Sequence, residues 1–408
     1  MSLKISHSFK TCSGNLKITG SKSETNRLLL LKALYPSLQI LNGSNSDDSK
    51  AMNHALSTDS NLIDIHHAGT AMRFLTAFFA TQSEREVLLT GSSRMQERPI
   101  GVLVDALKKL GADIVYENQE GFPPLRIKGK TLTGGKVTLP ANISSQYISA
   151  LLLISPQLQD GLILTLEGEI TSLPYLKMTL SLLERIGIDS HFESDKIRIK
   201  PKKQIEPQIQ TVESDWSSAS YHYSCVALCK EGKIVLNSYR NDSLQGDAVL
   251  IDIYKKLGVK TNFKPNQIIL EKVKDFQLPN SIELNLVEAP DIAQTIAVSC
   301  FGLGVGCDLL GLHTLKIKET DRLIALENEL VKLGAQIRVT DDSLHLSQSQ
   351  NFKANQTIAT YNDHRMAMAF APLALKIPLQ IADADVVTKS YPDFWNDLQE
   401  IDFEIVEK

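Results

Sequence analysis

The chain of 408 residues is short of several things, and each shortage narrows what it can be. No apolar run approaches the roughly 18 residues of a membrane-crossing helix, so no spanning segment and no membrane partner are expected. There is no basic excess. The formal net charge is −4, whereas general nucleic-acid binders carry a basic face or a high pI, so no nucleic-acid partner is expected. Cysteine is sparse and odd in number (Cys12, Cys225, Cys229, Cys300, Cys307), with no C-x-x-C pair. That pattern reads as buried free thiols in a reducing compartment. The start, MSLKISHSFK, lacks the apolar core of a signal peptide, so a soluble cytoplasmic protein is expected. No His/Cys/Asp spacing suggests a metal site, and no G-x-G-x-x-G opens a helix after a strand. Neither metal nor cofactor is expected. With 43% hydrophobic and 22% charged residues the composition is that of a globular protein, long enough for two or three domains.

The stretch ITGSKSETNRLLLL (18–31) comes near a nucleotide-binding P-loop and misses it twice. Five residues, not four, separate Gly14 from Gly20, and Ser21 stands where the loop needs glycine before Lys22. What remains is a strand (LKIT, 16–19), a turn and a helix start bearing Lys22, Ser23 and Arg27.

Two interleaved repeats run through the chain. Helix ends closed by glycine recur at Gly111, Gly187, Gly258 and Gly334, spaced 76, 71 and 76 residues apart, each before a hairpin-like stretch. Six apolar helices open with small or polar turns, aligned at Ser23, Gly69, Ser145, Ser218, Asp291 and Arg365. Their spacings are 46, 76, 73, 73 and 74 residues. The second series is apolar nearly all round and should be buried; the first carries a charged face and should be exposed. The repeating unit reads as strand, buried helix, strand, exposed helix, hairpin, in two groups of three.

Cations stand where a helix disfavours them. Basic side chains at a helix N-terminus oppose its partial positive charge by about 0.3–1 kcal/mol each. Yet Lys22, Arg27, Arg73 and Arg365 lie at buried-helix starts, and Lys318 and Arg322 share a face at the start of the helix in LKIKETDRLIALENELVKLG (315–334). Singly, each reads as a solvated surface charge. Together, beside Gly/Ser/Thr turns with free N–H groups, they read as sites for small, multiply charged anions. Arg94 and Arg98 on TGSSRMQERPIG and Lys389 on TKSYPDF fit the same pattern.

These stretches resemble the 5-enolpyruvylshikimate-3-phosphate synthase family of enolpyruvyl transferases. The matching segments are GSKSETNR, AGTAMR, LTGSSRMQERPIG, SSQYISALLL, SDWSSASY, RNDSLQGD, PDIAQTIA, KETDRL, YNDHRMAMAF and TKSYPDF, in the family's order from Gly20 to Phe394. The resemblance implies an α/β fold: a two-domain inside-out α/β barrel, three βαβαββ-type repeats per domain, buried helices pointing at the interdomain cleft. It implies a discontinuous first domain (1–20 with 213–408) and a second of residues 21–212. It implies a monomer that transfers the enolpyruvyl group of phosphoenolpyruvate to the 5-hydroxyl of shikimate 3-phosphate. Asp291 would be the base, Glu319 the acid, and Lys22 would reach both ligands. Ser23, Arg27, Ser144, Ser145, Ser172, Tyr175, Asp291, Thr314 and Lys318 would hold shikimate 3-phosphate. Gly69, Arg94, Gln146, Arg322, Arg365 and Lys389 would hold phosphoenolpyruvate. The chain departs from the family pattern at His67, Phe74, Leu173 and Thr314, where asparagine, proline, a basic residue and asparagine are usual. Without the family context, Asp291 reads as readily as a helix N-cap, and Glu319 as a first-turn partner of the helix dipole.

The alternative within the same fold is the sister transferase acting on UDP-N-acetylglucosamine. It carries a reactive cysteine on the loop matching GSSRMQERP, and here no cysteine lies between Cys12 and Cys225. A non-catalytic anion-binding protein would need the cations but not Asp291 and Glu319.

Overall fold

A helix that is apolar all round belongs inside a fold, and one with a charged stripe belongs at its surface. A computed structural model, which describes every residue except Ile143, Glu169, Thr171, Ser172 and Gln350, sorts the helices in this way. In chain order they are α1 (Lys22–Leu34), α2 (Asp47–Ser57), α3 (Gly69–Ala80), α4 (Ser93–Gln96), α5 (Gly101–Lys109), α6 (Ser145–Ile154), α7 (Leu173–Arg185), α8 (Trp216–Leu228), α9 (Leu250–Lys255), α10 (Ala293–Leu303), α11 (Arg322–Lys332), α12 (His364–Phe370) and α13 (Phe394–Gln399). In α3 every residue but Thr70 is buried, and in α8 every residue but Ser217. In α11 burial is confined to one stripe: Arg322, Leu323, Ala325, Leu326, Glu329 and Leu330.

The chain divides into two compact units, Met1–Thr19 with Glu213–Lys408, and Gly20–Val212. The first holds three four-stranded sheets of one plan. In one, Ser281–Asn285 runs parallel to Gly306–Leu310, which pairs antiparallel with Leu344–Leu346, and Ile337–Val339 forms the edge. Parallel strands need a crossover, and buried α10 supplies it. The sheet of Thr11–Leu16, Glu231–Asn237, Gln267–Lys272 and Val259–Lys264 repeats this order. In the third sheet, Thr357–Ile358 and Leu379–Ile381 are the parallel pair. The chain's first strand, Leu3–Ser6, fills the inner hairpin position between Leu379–Ile381 and Glu404–Glu407.

The second unit has two such sheets, around α3 and α6. Its remaining repeat is reduced. Among the described residues Leu38–Leu41 pairs only with Gln208–Thr211, in parallel, and α2 is followed directly by the next repeat. The short 46-residue spacing between the first two helix starts is this missing hairpin.

Two local expectations need correction. The strand before α1 is Thr11–Leu16, not 16–19. Beyond it the Ile18 and Thr19 carbonyls accept from Ser214 Oγ (2.7 Å) and Asp215 N (3.1 Å), because the chain leaves the sheet there. The helix expected over 362–375 passes into a 3₁₀ turn at Ala371–Leu375, where Pro372 cannot donate. By contrast Gly111, Gly187, Gly258 and Gly334 all have left-handed φ of +80° to +103°, as helix-closing glycines require.

Gly20, where the chain enters the second unit, is tightly enclosed: a Cβ there would lie 1.9 Å from the Asn42 carbonyl oxygen and 2.9 Å from Val212. Gly20→Ala should therefore destabilise the protein by about 1–3 kcal/mol, the usual cost of overpacking a rigid site, read as a lower urea midpoint.

Candidate active site

The site in the first unit is built from the ends of α10, α11 and α12. Helix α11 begins at Arg322, later than its sequence pattern suggested. His313–Ile317 is a separate 3₁₀ turn, and Asp321 caps α11 by accepting from Leu323 N (3.1 Å) and Ile324 N (3.3 Å). Lys318 and Glu319 therefore lie ahead of the helix rather than on its first turn. Glu319 is not a dipole partner within the helix: its carboxylate meets Arg322 Nη2 (2.8 Å) and Lys389 Nζ (3.0 Å).

Arg322 is 2% exposed and serves three carboxylates. Nε donates to Asp363 Oδ2 (2.6 Å), Nη1 to Asp291 Oδ1 (2.9 Å) and Nη2 to Glu319 Oε2 (2.8 Å). Burial alone would weaken its charge, but Asp363, Glu319 and Asp291 outweigh burial and hold its pKa above the ordinary value. Asp363 also caps α12, accepting from Arg365 N at 2.9 Å. Asp291, in the Pro290–Ile292 turn before α10, turns to cations instead of capping: Lys318 Nζ lies at 3.5 Å and Arg365 Nη2 at 3.3 Å. Burial pushes the Asp291 carboxyl up, yet Lys318, Arg365 and Arg322 together hold it well below the carboxylate range. So held, this carboxylate is a clamp for cations and a poor base.

Asp247 lies behind Arg365. Ser217 Oγ donates to Asp247 Oδ2, and Arg365 Nη2 donates to Ser217 Oγ at 3.3 Å. Burial and the nearby Asp291 charge push the Asp247 carboxyl up to about 7, against the pull of Arg365. Lys318, Arg322, Arg365 and Lys389 converge on Asp291, Glu319 and Asp363, and the charges of Asp247 and Asp215 also act on Arg365. Four cations gathered in one place suit an anionic ligand.

In the second unit, Ser21, not Ser23, caps α1, and Lys22 pairs with buried Asp48 at 3.3 Å. Arg27 is held by its surroundings: its fork donates to Thr179 Oγ1 (2.8 Å), the Ser23 carbonyl (2.8 Å) and Ser149 Oγ (3.0 Å), and it lies over the rings of Phe74 and Tyr175. Burial brings its pKa down to about 10. Ser144 caps α6, whose first residue is Ser145, and Gln146 Nε2 donates to Thr70 Oγ1 (3.2 Å) one residue past Gly69. Arg94 turns outward to Glu97 (2.8 Å). The guanidinium beside Gly69 is instead that of Arg98, so close that a Cβ on Gly69 would stand 2.6 Å from its Nη1. Thr314 Oγ1, in the first unit, is buried without a hydrogen-bond partner among the described residues, and Ser172 lies outside those residues. Sequence reasoning left Asp363, Asp247, Ser217, Asp48 and the position of Arg98 unread. The acids sat in view in NDHR, QGD and SDDSK, but nothing local announces a contact across 26 residues or more.

Buried helices carrying cations at their starts, on sheets of this order, define an enolpyruvyl-transferase fold. Solved structures with it include an EPSP synthase from Acinetobacter baumannii (TM-score 0.80, 20% identity, all of both chains covered). Another is the enolpyruvyl transferase NikO from Streptomyces tendae (TM-score 0.77, 13% identity, 100% and 99% covered). The family model for EPSP synthase (3-phosphoshikimate 1-carboxyvinyltransferase) matches residues 57–398. A 3-phosphoshikimate 1-carboxyvinyltransferase of Bacteroides fragilis strain YCH46 is 44% identical over 394 residues, covering 96% of this chain and 95% of that protein. One from Haemophilus influenzae strain PittGG is 35% identical over 426 residues, covering 95% and 96%. The chain belongs to the EPSP synthase family.

Asp247 makes stability depend on pH in a stated direction. Between its ordinary value of 3.8 and about 7 the folded state holds a proton that the unfolded chain releases, so this group's contribution falls as pH rises through that window. Asp247→Asn should match the parent near pH 4 and be the more stable near pH 8. Urea unfolding at the two pH values measures this; equal differences at both would contradict it.

Proposed function

We propose that this protein is a 3-phosphoshikimate 1-carboxyvinyltransferase: it joins phosphoenolpyruvate to the 5-hydroxyl of shikimate 3-phosphate and releases phosphate, in the shikimate pathway to aromatic amino acids. The observation that carries the reading is one buried guanidinium, Arg322, holding Asp291 and Glu319 on separate nitrogens. Addition requires a base for the hydroxyl and an acid for the methylene carbon; elimination of phosphate from the tetrahedral intermediate requires the methyl proton back. In this reading Asp291 is the base, and Glu319 gives and recovers the carbon-bound proton. Arg322 and Arg365 fork the phosphoenolpyruvate carboxylate, drawing their charge off Asp291 and letting burial raise its basicity. Gly69, Arg94, Gln146 and Lys389 take the phosphate of phosphoenolpyruvate, with Arg94 exchanging Glu97 for it. Lys22, Ser23, Arg27, Ser144, Ser145, Ser172, Tyr175, Thr314 and Lys318 serve shikimate 3-phosphate, with Lys22 common to both ligands. Arg27 already holds four internal hydrogen bonds, so its guanidinium is fixed in place before a ligand arrives.

The two compact units are taken as the enzyme's two domains, and the protein as a cytoplasmic monomer. Among the described residues no helix is long and apolar enough to cross a membrane. The UDP-N-acetylglucosamine reading is disfavoured because Ser93–Arg94 stand where its cysteine would be, and the curated relatives named above are shikimate enzymes.

Phosphate release from phosphoenolpyruvate should require shikimate 3-phosphate and ignore UDP-N-acetylglucosamine. Absence of turnover with the first acceptor, or turnover with the second, would overturn the assignment.

A further inference from the structure

Two cysteines meet at the end of α8 remote from Ser217. Cys12 stands on the strand Thr11–Leu16, and Cys229 is the C-cap residue of α8. Their thiols hydrogen-bond to each other. The sheet builds this contact. Gly232 is the cross-strand partner of Cys12, and a Cβ on Gly232 would stand 2.6 Å from Cys229 Sγ and 3.8 Å from Cys12 Cβ. The Cys229 sulfur therefore fills the space that the glycine leaves open beside Cys12. It is anchored there by donating to the Val226 carbonyl at 3.2 Å. Cys12 is fully buried and Cys229 is 3% exposed, but the next residue, Lys230, is exposed, so the Cys229 thiol lies at the edge of the core.

The surroundings of this pair are cationic. Lys272 donates to the Ala227 carbonyl in the last turn of α8, and Lys376 follows the 3₁₀ turn at Ala371–Leu375. Burial lowers both ammonium groups below their ordinary value, and the charge that opposes it is that of the Cys229 sulfur. In return, the hydrogen bond from Cys12 and the charge of Lys272 hold the Cys229 thiol below its ordinary value against burial. Cys12 is pushed up by donating to Cys229 and by burial. One thiol is thus prepared to ionise, and its neighbour to stay protonated. Cys300 and Cys307 also touch, in opposite surroundings. The hydrogen bond to Cys300, burial and the Asp308 charge push Cys307 well up. The charged neighbour there is an anion.

We propose that Cys12 and Cys229 form an oxidisable dithiol site that takes a hydroperoxide as its oxidant. The Cys229 thiolate attacks one peroxide oxygen and the O–O bond breaks. The departing hydroxide takes the proton that Cys229 released and leaves as water, and Cys229 becomes a sulfenic acid. The Cys12 sulfur then attacks the Cys229 sulfur, the S–O bond breaks, and the hydroxyl leaves as water with the Cys12 proton. Two thiols and one hydrogen peroxide give one disulfide and two waters. The bond closes a loop containing all of Gly20–Val212, because Cys12 and Cys229 lie in the two segments of the first unit that flank that stretch. Closing so long a loop restricts the unfolded chain and stabilises the folded one. The proposal goes beyond the transferase reading and does not depend on it.

The test treats the folded full-length protein with hydrogen peroxide, blocks the remaining thiols with N-ethylmaleimide in urea, and maps the unreduced peptides by mass spectrometry. Three of the five cysteines should be alkylated, and a peptide linking Cys12 to Cys229 should appear before any linking Cys300 to Cys307. Dithiothreitol should remove it. The oxidised protein should unfold at a higher temperature than the reduced one. In Cys12→Ser, dimedone should trap Cys229 as the sulfenic acid, whereas in Cys229→Ser it should not trap Cys12. Alkylation of all five cysteines after peroxide, a link from Cys229 to Cys225, or a Cys300–Cys307 link formed first would each overturn the proposal. These three outcomes are read on the wild type, so they decide the matter whether or not a serine variant folds.

Discussion

A buried arginine cannot be left alone, and Arg322 is the charge around which the first unit's functional end is arranged. Removing one partner from a buried ion pair typically costs about 3–5 kcal/mol. Here the partners come from three places: the turn before α10, the segment before α11 and the cap of α12. One guanidinium thus ties three helix starts together. Asp363 is the most specialised, holding Arg322 through its carboxylate while capping the helix that carries Arg365.

The repeat architecture makes this possible. A buried helix between parallel strands can present only its end, so whatever chemistry the repeat carries must lie at a helix start or on the turn before it. The polar residues within these helices serve packing: Ser220, Ser224, Thr295 and Ser299 pair across α8 and α10, and Tyr254 completes the pairing on Ser299.

Much of this was legible in the sequence, because periodicity and punctuation are local. The alternation of all-apolar and one-sided helices, the closing glycines and the shortened first repeat all follow from spacing. The cations at helix starts were legible too, because a helix disfavours them there. Three-dimensional substitutions were not. Arg94 was expected beside Gly69, yet it turns to Glu97, and the guanidinium next to Gly69 is that of Arg98; two arginines four residues apart on one loop cannot be ranked by pattern. The start of α11 was read too early because the K-E-T-D-R stretch keeps helical spacing, while the Asp321 cap ended that competition locally. Asp247 and Ser217 were invisible as site components because their contacts to Arg365 join segments far apart in the chain.

The central claim is that Asp291 occupies cations which a substrate carboxylate must capture. Replacing that internal competitor separates binding from chemistry. In Asp291→Asn, phosphoenolpyruvate titrated calorimetrically in the presence of shikimate 3-phosphate should bind at least as tightly as in the parent, although turnover is lost. Markedly weaker binding would contradict the account, because it would mean that the carboxylate aids substrate capture instead of competing with it.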